Sequence, residues 1–210
     1  MILILCYYLR MNMVCLDLEG VLVPEIWITF SEAVGIPELR RTTRDEPDYD
    51  KLMKFRLGLL EKNNLKLPDI QKVISSMEPL SGAVEFTRAL QERTQLIILS
   101  DTFEQFAKPL MKKLSWPTLF CNKLKIADDG TVTGYSLRQQ NGKREAVKAF
   151  KSLNMRVFSA GDSFNDLAMI RESDGGCLFR APEQIRKDCA DLICVDTFDT
   201  LLAEIDKFLS

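Results

Sequence analysis

The chain has 210 residues, 46% of them apolar and 28% charged, enough for one sizeable core with room for an inserted subdomain. A formal net charge of -2 gives no long-range attraction for nucleic acid or an anionic membrane, so any affinity for phosphate has to come from a local site. Histidine is absent, which removes Ser-His-Asp and Cys-His catalysis and the usual zinc ligands, and leaves a hard cation held by oxygens as the expected metal.

Cys6, Cys15, Cys121, Cys177, Cys189 and Cys194 form no CxxC pair and no dense cluster, so they read as small buried hydrophobes and not as zinc ligands or a disulfide framework. Residues 1–9 are apolar but too short to span a bilayer, and they lack the basic start and small-residue cleavage site of a signal peptide. A cytoplasmic location is expected. Met11 and Met13 stand just before the first convincing strand, so residues 1–12 read as an upstream extension, an added edge strand or a disordered end.

In chain order, Val14-Cys15-Leu16 is a short apolar strand running into Asp17. Pro24 opens a helical pattern through Ile26, Phe30 and Val34 that stops near Gly35. After a polar break at 42–47, helical spacing resumes from Tyr49 through Leu60, and again after Pro68 with Ile70, Val73, Ile74 and Met77. Residues 24–79 are therefore expected to be all-helical. From Gly82 the pattern alternates: a helix to Arg93, a strand Gln95 to Leu99, a helix Thr102 to Leu114, a helix Arg144 to Leu153 and a strand Arg156 to Ala160. Strands near Cys177 to Phe179 and Leu192 to Val195 and a closing helix Phe198 to Phe208 follow, while Leu119 to Ile126 and Thr131 to Leu137 read as a β-hairpin joined at Asp128-Asp129-Gly130. The expected fold is α/β: a doubly wound, mostly parallel, Rossmann-like sheet with a helical insertion and a hairpin excursion.

Such sheets bind ligands at the carboxyl ends of their strands. Three polar clusters fall there: Asp17-Leu18-Glu19-Gly20, Ser100-Asp101-Thr102, and Gly161-Asp162-Ser163-Phe164-Asn165-Asp166. Asp17 and Glu19 are two apart, so an extended backbone would turn both carboxylates to one side. With Asp162 arriving from another strand, their repulsion calls for a divalent cation, and magnesium fits an all-oxygen site. An aspartate attacking a phosphate monoester needs positive charge and donors around the phosphoryl oxygens, which Lys143, the Ser100 hydroxyl and nearby backbone N–H groups can supply. Glu19 can protonate the departing alkoxide and later take a proton from water if its pKa is raised. Each residue also has a plain reading: a strand-end Asp caps a turn, Ser100 caps a helix starting near Thr102, and Lys143 is a solvated first-turn residue. Their occurrence in order at separate strand ends favours the chemical reading.

The series Asp17-Leu18-Glu19-Gly20-Val21-Leu22, Leu99-Ser100-Asp101, Lys143-Arg144-Glu145 and Gly161 to Asp166 resembles the four motifs of the haloacid dehalogenase superfamily of aspartyl-phosphate phosphatases. The likeness covers the chain from about Met13 onward. It implies Asp17 as nucleophile and Mg2+ ligand, the Glu19 backbone carbonyl and Asp162 carboxylate as further ligands, and Asp166 as ligand or support. Ser100 and Lys143 would bind the phosphoryl group, together with the backbone of Asp101 and Thr102, and Asn165 would contact the substrate. The stretch Asp17 to Trp27, the run 44–50 and Ser100-Asp101-Thr102-Phe103 are similar to the bacterial phosphoserine phosphatase branch that is also a phosphoserine:homoserine phosphotransferase.

That branch implies a helical cap over 24–79 on a core of 1–23 and 80–210. It also implies that Glu25 and Arg56 contact the ammonium and carboxylate of phosphoserine, with water or homoserine as phosphoryl acceptor. Three departures from most phosphoserine phosphatases stand out: Glu19 replaces a usual Asp, Asp101 and Thr102 replace two glycines, and Glu25 falls one residue closer to the nucleophile. Trp27, Phe55 and Tyr49 can line such a pocket or pack a helical core. Rival readings are a phosphatase for a sugar or nucleotide phosphate and a metal- and phosphate-sensing module without turnover. No nucleic-acid or membrane partner is expected, and the oligomeric state is left open, a homodimer included.

Overall fold

The computed structural model describes residues 10–43, 45–46 and 48–210. The readings offered for residues 1–9, Cys6 among them, and for residues 44 and 47 lie outside the described residues. Strand β1 (Met11–Leu16) leads to helix α1 (Ile26–Val34), a 3-10 turn (Pro37–Arg40), α2 (Tyr49–Lys62), α3 (Leu67–Ser76) and α4 (Ala83–Gln91). Then come β2 (Gln95–Phe103), α5 (Glu104–Lys113), the hairpin β3 (Thr118–Ile126) and β4 (Val132–Ser136), α6 (Gly142–Ser152) and β5 (Met155–Gly161). The chain closes with α7 (Leu167–Glu172), β6 (Gly175–Phe179), α8 (Glu183–Asp188), β7 (Ile193–Val195) and α9 (Phe198–Leu209).

The strands form one seven-stranded sheet in the order β4-β3-β2-β1-β5-β6-β7, parallel throughout except for the antiparallel β3/β4 hairpin. Alternate residues of β1 enter opposite layers, as the two-residue strand period requires. Val14 and Leu16 join Ile98, Phe158 and Ala160 under α4, α5 and α9, whereas Met13 and Cys15 join Ile97, Leu99 and Val157 under Ala146, Val147 and Phe150 of α6. Both faces are covered, which is why the central strands read as continuous apolar runs. Cys15, Cys177 and Cys189 are buried and Cys121 and Cys194 half-buried, all as free thiols, in keeping with the expected hydrophobic role.

β1 lies between β2 and β5. The chain leaves β1 for one side and returns on the other, so the loops after β1, β2 and β5 meet at the switch point where such sheets hold ligands. Between Val23 and α4 the described chain is helical, as its spacing predicts. α1 ends where Gly35 takes a left-handed φ of 69°, a conformation glycine adopts at no steric cost. α2 is capped by Asp48, whose side chain accepts from the N–H groups of Asp50 and Lys51. α3 packs on α1 and α5, and α2 packs on β4. No helix among the described residues is long and apolar enough to cross a membrane.

Two expectations need correction. The helix read from Thr102 starts at Glu104, because β2 continues through Phe103, which pairs with Asn122 of β3; Ser100 therefore lies in a strand and caps no helix. The short helices α7 and α8, six residues each, escaped the spacing analysis because six residues hold under two turns of apolar periodicity.

Candidate active site

Asp17 follows β1 directly, and its N–H extends the ladder by donating to the Ala160 carbonyl at 3.0 Å. The residue is 5% exposed, with Oδ1 accepting from the Leu18 N–H at 2.7 Å and lying 2.9 Å from Lys143 Nζ. Lys143 is the second residue of α6, a place where the helix dipole disfavours a cation. Carboxylates reverse that preference: Nζ donates to Asp166 Oδ1 at 2.7 Å and lies 4.0 Å from Asp101 Oδ2. Burial alone would lower the Lys143 pKa, but Asp166, Asp17 and Asp101 together hold it well above the ordinary lysine value. The ammonium is therefore a fixed positive charge facing Asp17.

Asp166 is fully buried. Its Oδ2 accepts from the N–H groups of Asp162 and Ser163, each at 3.1 Å, and from the Ser163 hydroxyl at 3.2 Å. This closes the loop after β5 and aims it at Asp17. Two glycines permit the approach. A Cβ on Gly161 would lie 2.2 Å from Asp166 Cγ, and a Cβ on Gly20 would lie 2.4 Å from Asp162 Oδ2.

Asp17, Asp162 and Asp166 bring one carboxylate oxygen each within 4.8 Å of one another. Burial, then Asp166 and Asp162, push the Asp17 carboxyl well above its usual range despite Lys143. One lysine does not balance three buried acids, and a small, hard dication with oxygen ligands suits the remaining charge.

Glu19 departs from its expected place. Gly20 has a φ of 76° and donates to the Val23 carbonyl at 2.8 Å, so the chain curls after β1 and does not stay extended. The Glu19 carboxylate leaves the acidic cluster, and Oε2 accepts from the N–H of Ile26 at 2.9 Å, at the start of α1. Burial, with Glu25 adding repulsion, raises its pKa to about 7, against the Ile26 N–H, the nearby Thr102 hydroxyl and Arg56. A carboxyl poised there can give and take a proton near neutrality.

Arg56 is 6% exposed, so it is no solvated helix residue. Its guanidinium lies 4.5 Å from the centre of the Trp27 ring, and Nη2 donates to the Arg41 carbonyl at 2.6 Å. Its Nε is buried without a hydrogen-bond partner. Burial lowers its pKa to about 10, with Glu19, Tyr49 and Glu25 opposing; it stays charged at neutral pH. Glu25 precedes α1 and lines the same cavity.

That cavity, of about 100 Å³, is lined by Asp17, Glu19, Glu25, Arg56, Ser100, Asp101, Thr102, Lys143, Asp162 and Asn165. Of the catalytic, metal and substrate residues singled out from sequence, Asp166 alone is not on its wall and lies behind it. Trp27 and Tyr49 line it as well. Phe55 does not: it lies beneath the Arg41 guanidinium, 4.7 Å from the ring centre, at a separate surface cleft with Ile28 and Pro37. Asn165 sits at the rim, donating to Asp101 Oδ2 at 2.9 Å. Sequence reasoning missed Thr42, Thr43 and Ser163 on the wall. It also missed Asn122, whose signal was a polar side chain within a strand, where asparagine is depleted.

The comparisons agree with this geometry. The haloacid dehalogenase-like hydrolase family matches residues 11–174. A phosphoserine phosphatase ThrH from Pseudomonas aeruginosa is 54% identical over 197 residues, covering 94% of this chain and 96% of its own. A phosphoserine phosphatase from Pseudomonas syringae pv. tomato is 54% identical over 193 residues, 92% of this chain and 81% of that one. Among solved structures, a phosphoserine phosphatase in apo form superposes with a TM-score of 0.76 at 24% identity, covering 96% of this chain and 100% of the other, a likeness of fold. The chain belongs to the haloacid dehalogenase-like hydrolases.

Proposed function

We propose that the chain is a magnesium-dependent phosphoserine phosphatase that works through a phosphoaspartyl intermediate on Asp17 and also passes the phosphoryl group to homoserine. One observation carries the reading: a buried carboxylate paired with a buried ammonium, Asp17 with Lys143, shares a small cavity with Arg56 and Glu25. Phosphate and amino-acid ends would both find complementary charge. The names of the 54% identical relatives support the same substrate.

In the first step Asp17 attacks phosphorus, an acyl phosphate bond forms and the serine ester bond breaks. Lys143, the Ser100 hydroxyl and the Thr102 N–H face the phosphoryl oxygens, and Glu19 gives its proton to the departing serine oxygen. In the second step the oxygen of water, or of the homoserine hydroxyl held by the same Arg56 and Glu25, bonds to phosphorus and gives its proton to Glu19, while the acyl phosphate bond breaks and Asp17 is released. The Asp17 and Asp162 carboxylates and the Glu19 carbonyl would hold Mg2+, which neutralises charge at the phosphoryl group. Asp166, with both oxygens already engaged, supports Lys143 and the loop. Residues 24–79 would form a cap that contributes Glu25 and Arg56 over a core of 1–23 and 80–210.

The test is phosphate release with Mg2+ across phosphoserine, phosphothreonine, sugar phosphates and nucleotides, repeated with excess homoserine and with chelator. Phosphoserine should lead the panel, chelator should silence it, and phosphohomoserine should appear at the expense of free phosphate. Preference for another monoester, or full activity in excess chelator, would refute the proposal.

A further inference from the structure

The β2/β3 ladder breaks beside the site. Leu99 pairs with Phe120 and Phe103 with Asn122, so β2 uses three residues, Ser100 to Thr102, where β3 uses only Cys121. Such a bulge takes backbone groups out of the ladder, and buried ones need other partners. The Asp101 carbonyl finds two. Asn122 Nδ2 donates to it at 3.0 Å and the Tyr49 hydroxyl at 3.3 Å.

The described chain has no cis peptide, so in the Asp101–Thr102 peptide the N–H points opposite to the carbonyl. With the carbonyl held outward, the Thr102 N–H turns inward and donates to Ser100 Oγ at 3.2 Å, on the cavity wall. Asn122 is itself fixed: it is 7% exposed and its Oδ1 accepts from the Arg138 N–H at 3.0 Å. Burial, then Asp101, hold the Tyr49 phenol above its ordinary pKa, so it remains a donor.

We infer that Tyr49 and Asn122 are positioning residues that clamp the Asp101 carbonyl from two sides and so aim the Thr102 N–H at the phosphoryl group. The inference rests on the phosphatase reading. Tyr49 belongs to α2 and Asn122 to β3, so phosphoryl binding becomes sensitive to how the helical segment is seated.

Tyr49→Phe removes the hydroxyl and keeps the ring, which packs edge-on against Tyr135 at 5.7 Å; Asn122→Ala removes the second donor. Each should weaken inorganic phosphate binding, measured by calorimetry with Mg2+, by roughly three- to tenfold, the worth of one hydrogen bond. Each should lower kcat/KM for phosphoserine and nitrophenyl phosphate by the same factor, leaving their ratio unchanged. Unchanged phosphate affinity in Tyr49→Phe would overturn the inference, whatever happens to its melting temperature. A loss confined to phosphoserine would overturn it too, by moving Tyr49 to recognition of the amino acid. Should Asn122→Ala not fold, Tyr49→Phe decides alone. A native chain that releases no phosphate defeats the phosphatase reading, while the calorimetric comparison still decides the role of the clamp.

Discussion

The two ends of the cavity are built on opposite plans. At the phosphate end the groups are tightly linked: Lys143 bridges Asp17 and Asp166, and Asp166 accepts three further hydrogen bonds. At the far end a partner is missing. Arg56 Nε is buried with no formed hydrogen bond, a costly condition unless a ligand completes it. The first plan suits a reaction common to many phosphomonoesters, and the second suits recognition of one molecule. Rigidity where bonds change and open valence where identity is read are what a selective phosphatase requires.

The sharpest way to break the phosphate end is Asp17→Asn. Turnover of phosphoserine and nitrophenyl phosphate alike should fall by at least ~10^4-fold, as when a nucleophile is removed, while circular dichroism stays native; near-normal activity in a folded variant would end the covalent mechanism. Glu19→Gln tests the boundary between the two ends. Steady-state turnover should drop by about 10^3-fold, yet nitrophenyl phosphate should still give a burst of nitrophenol, because that leaving group needs no proton and the trapped phosphoenzyme does. A missing burst would deny Glu19 the second step.

Lys143→Met should slow both substrates by roughly 10^2- to 10^3-fold, the usual loss for one charge stabiliser. Leaving Asp17 and Asp166 without their cation should also cost about 3–5 kcal/mol of stability, read as a lower denaturant midpoint. An unchanged midpoint would mean the ion triad is not an energetic unit. Arg56→Ala probes only the far end: kcat/KM for phosphoserine should fall by about 100-fold, as for truncating a buried charged donor, with nitrophenyl phosphate nearly unaffected. Equal losses on both would place Arg56 among structural residues.

The phosphate end was legible in the sequence because acids at the ends of apolar strands are conspicuous and the fold brings those ends together. Asp17, Ser100 and Asp162 were found this way. The far end was harder, since Arg56 in isolation reads as a solvated helix residue until its burial against Trp27 is seen. Glu19 shares the cavity wall with Asp17, but its hydrogen bond to the Ile26 N–H, outside the acidic cluster, depends on the curl at Gly20, a property of three-dimensional context. The extension of β2 through Phe103 was invisible for a related reason. Phe103 is a strand residue only by pairing with Asn122 of a hairpin that follows it in the chain, and local spacing carries no trace of it.

The orphaned Nε of Arg56 also bears on what larger phosphorylated molecules would meet here. A phosphoserine inside a polypeptide has an amide in place of both the carboxylate and the ammonium, so it offers Arg56 no anion and Glu25 no cation. Burying those two groups against uncharged amides would add desolvation without compensation. With Arg56 and Glu25 in their proposed roles, the same open valence that would welcome a free amino acid would disfavour a phosphorylated protein.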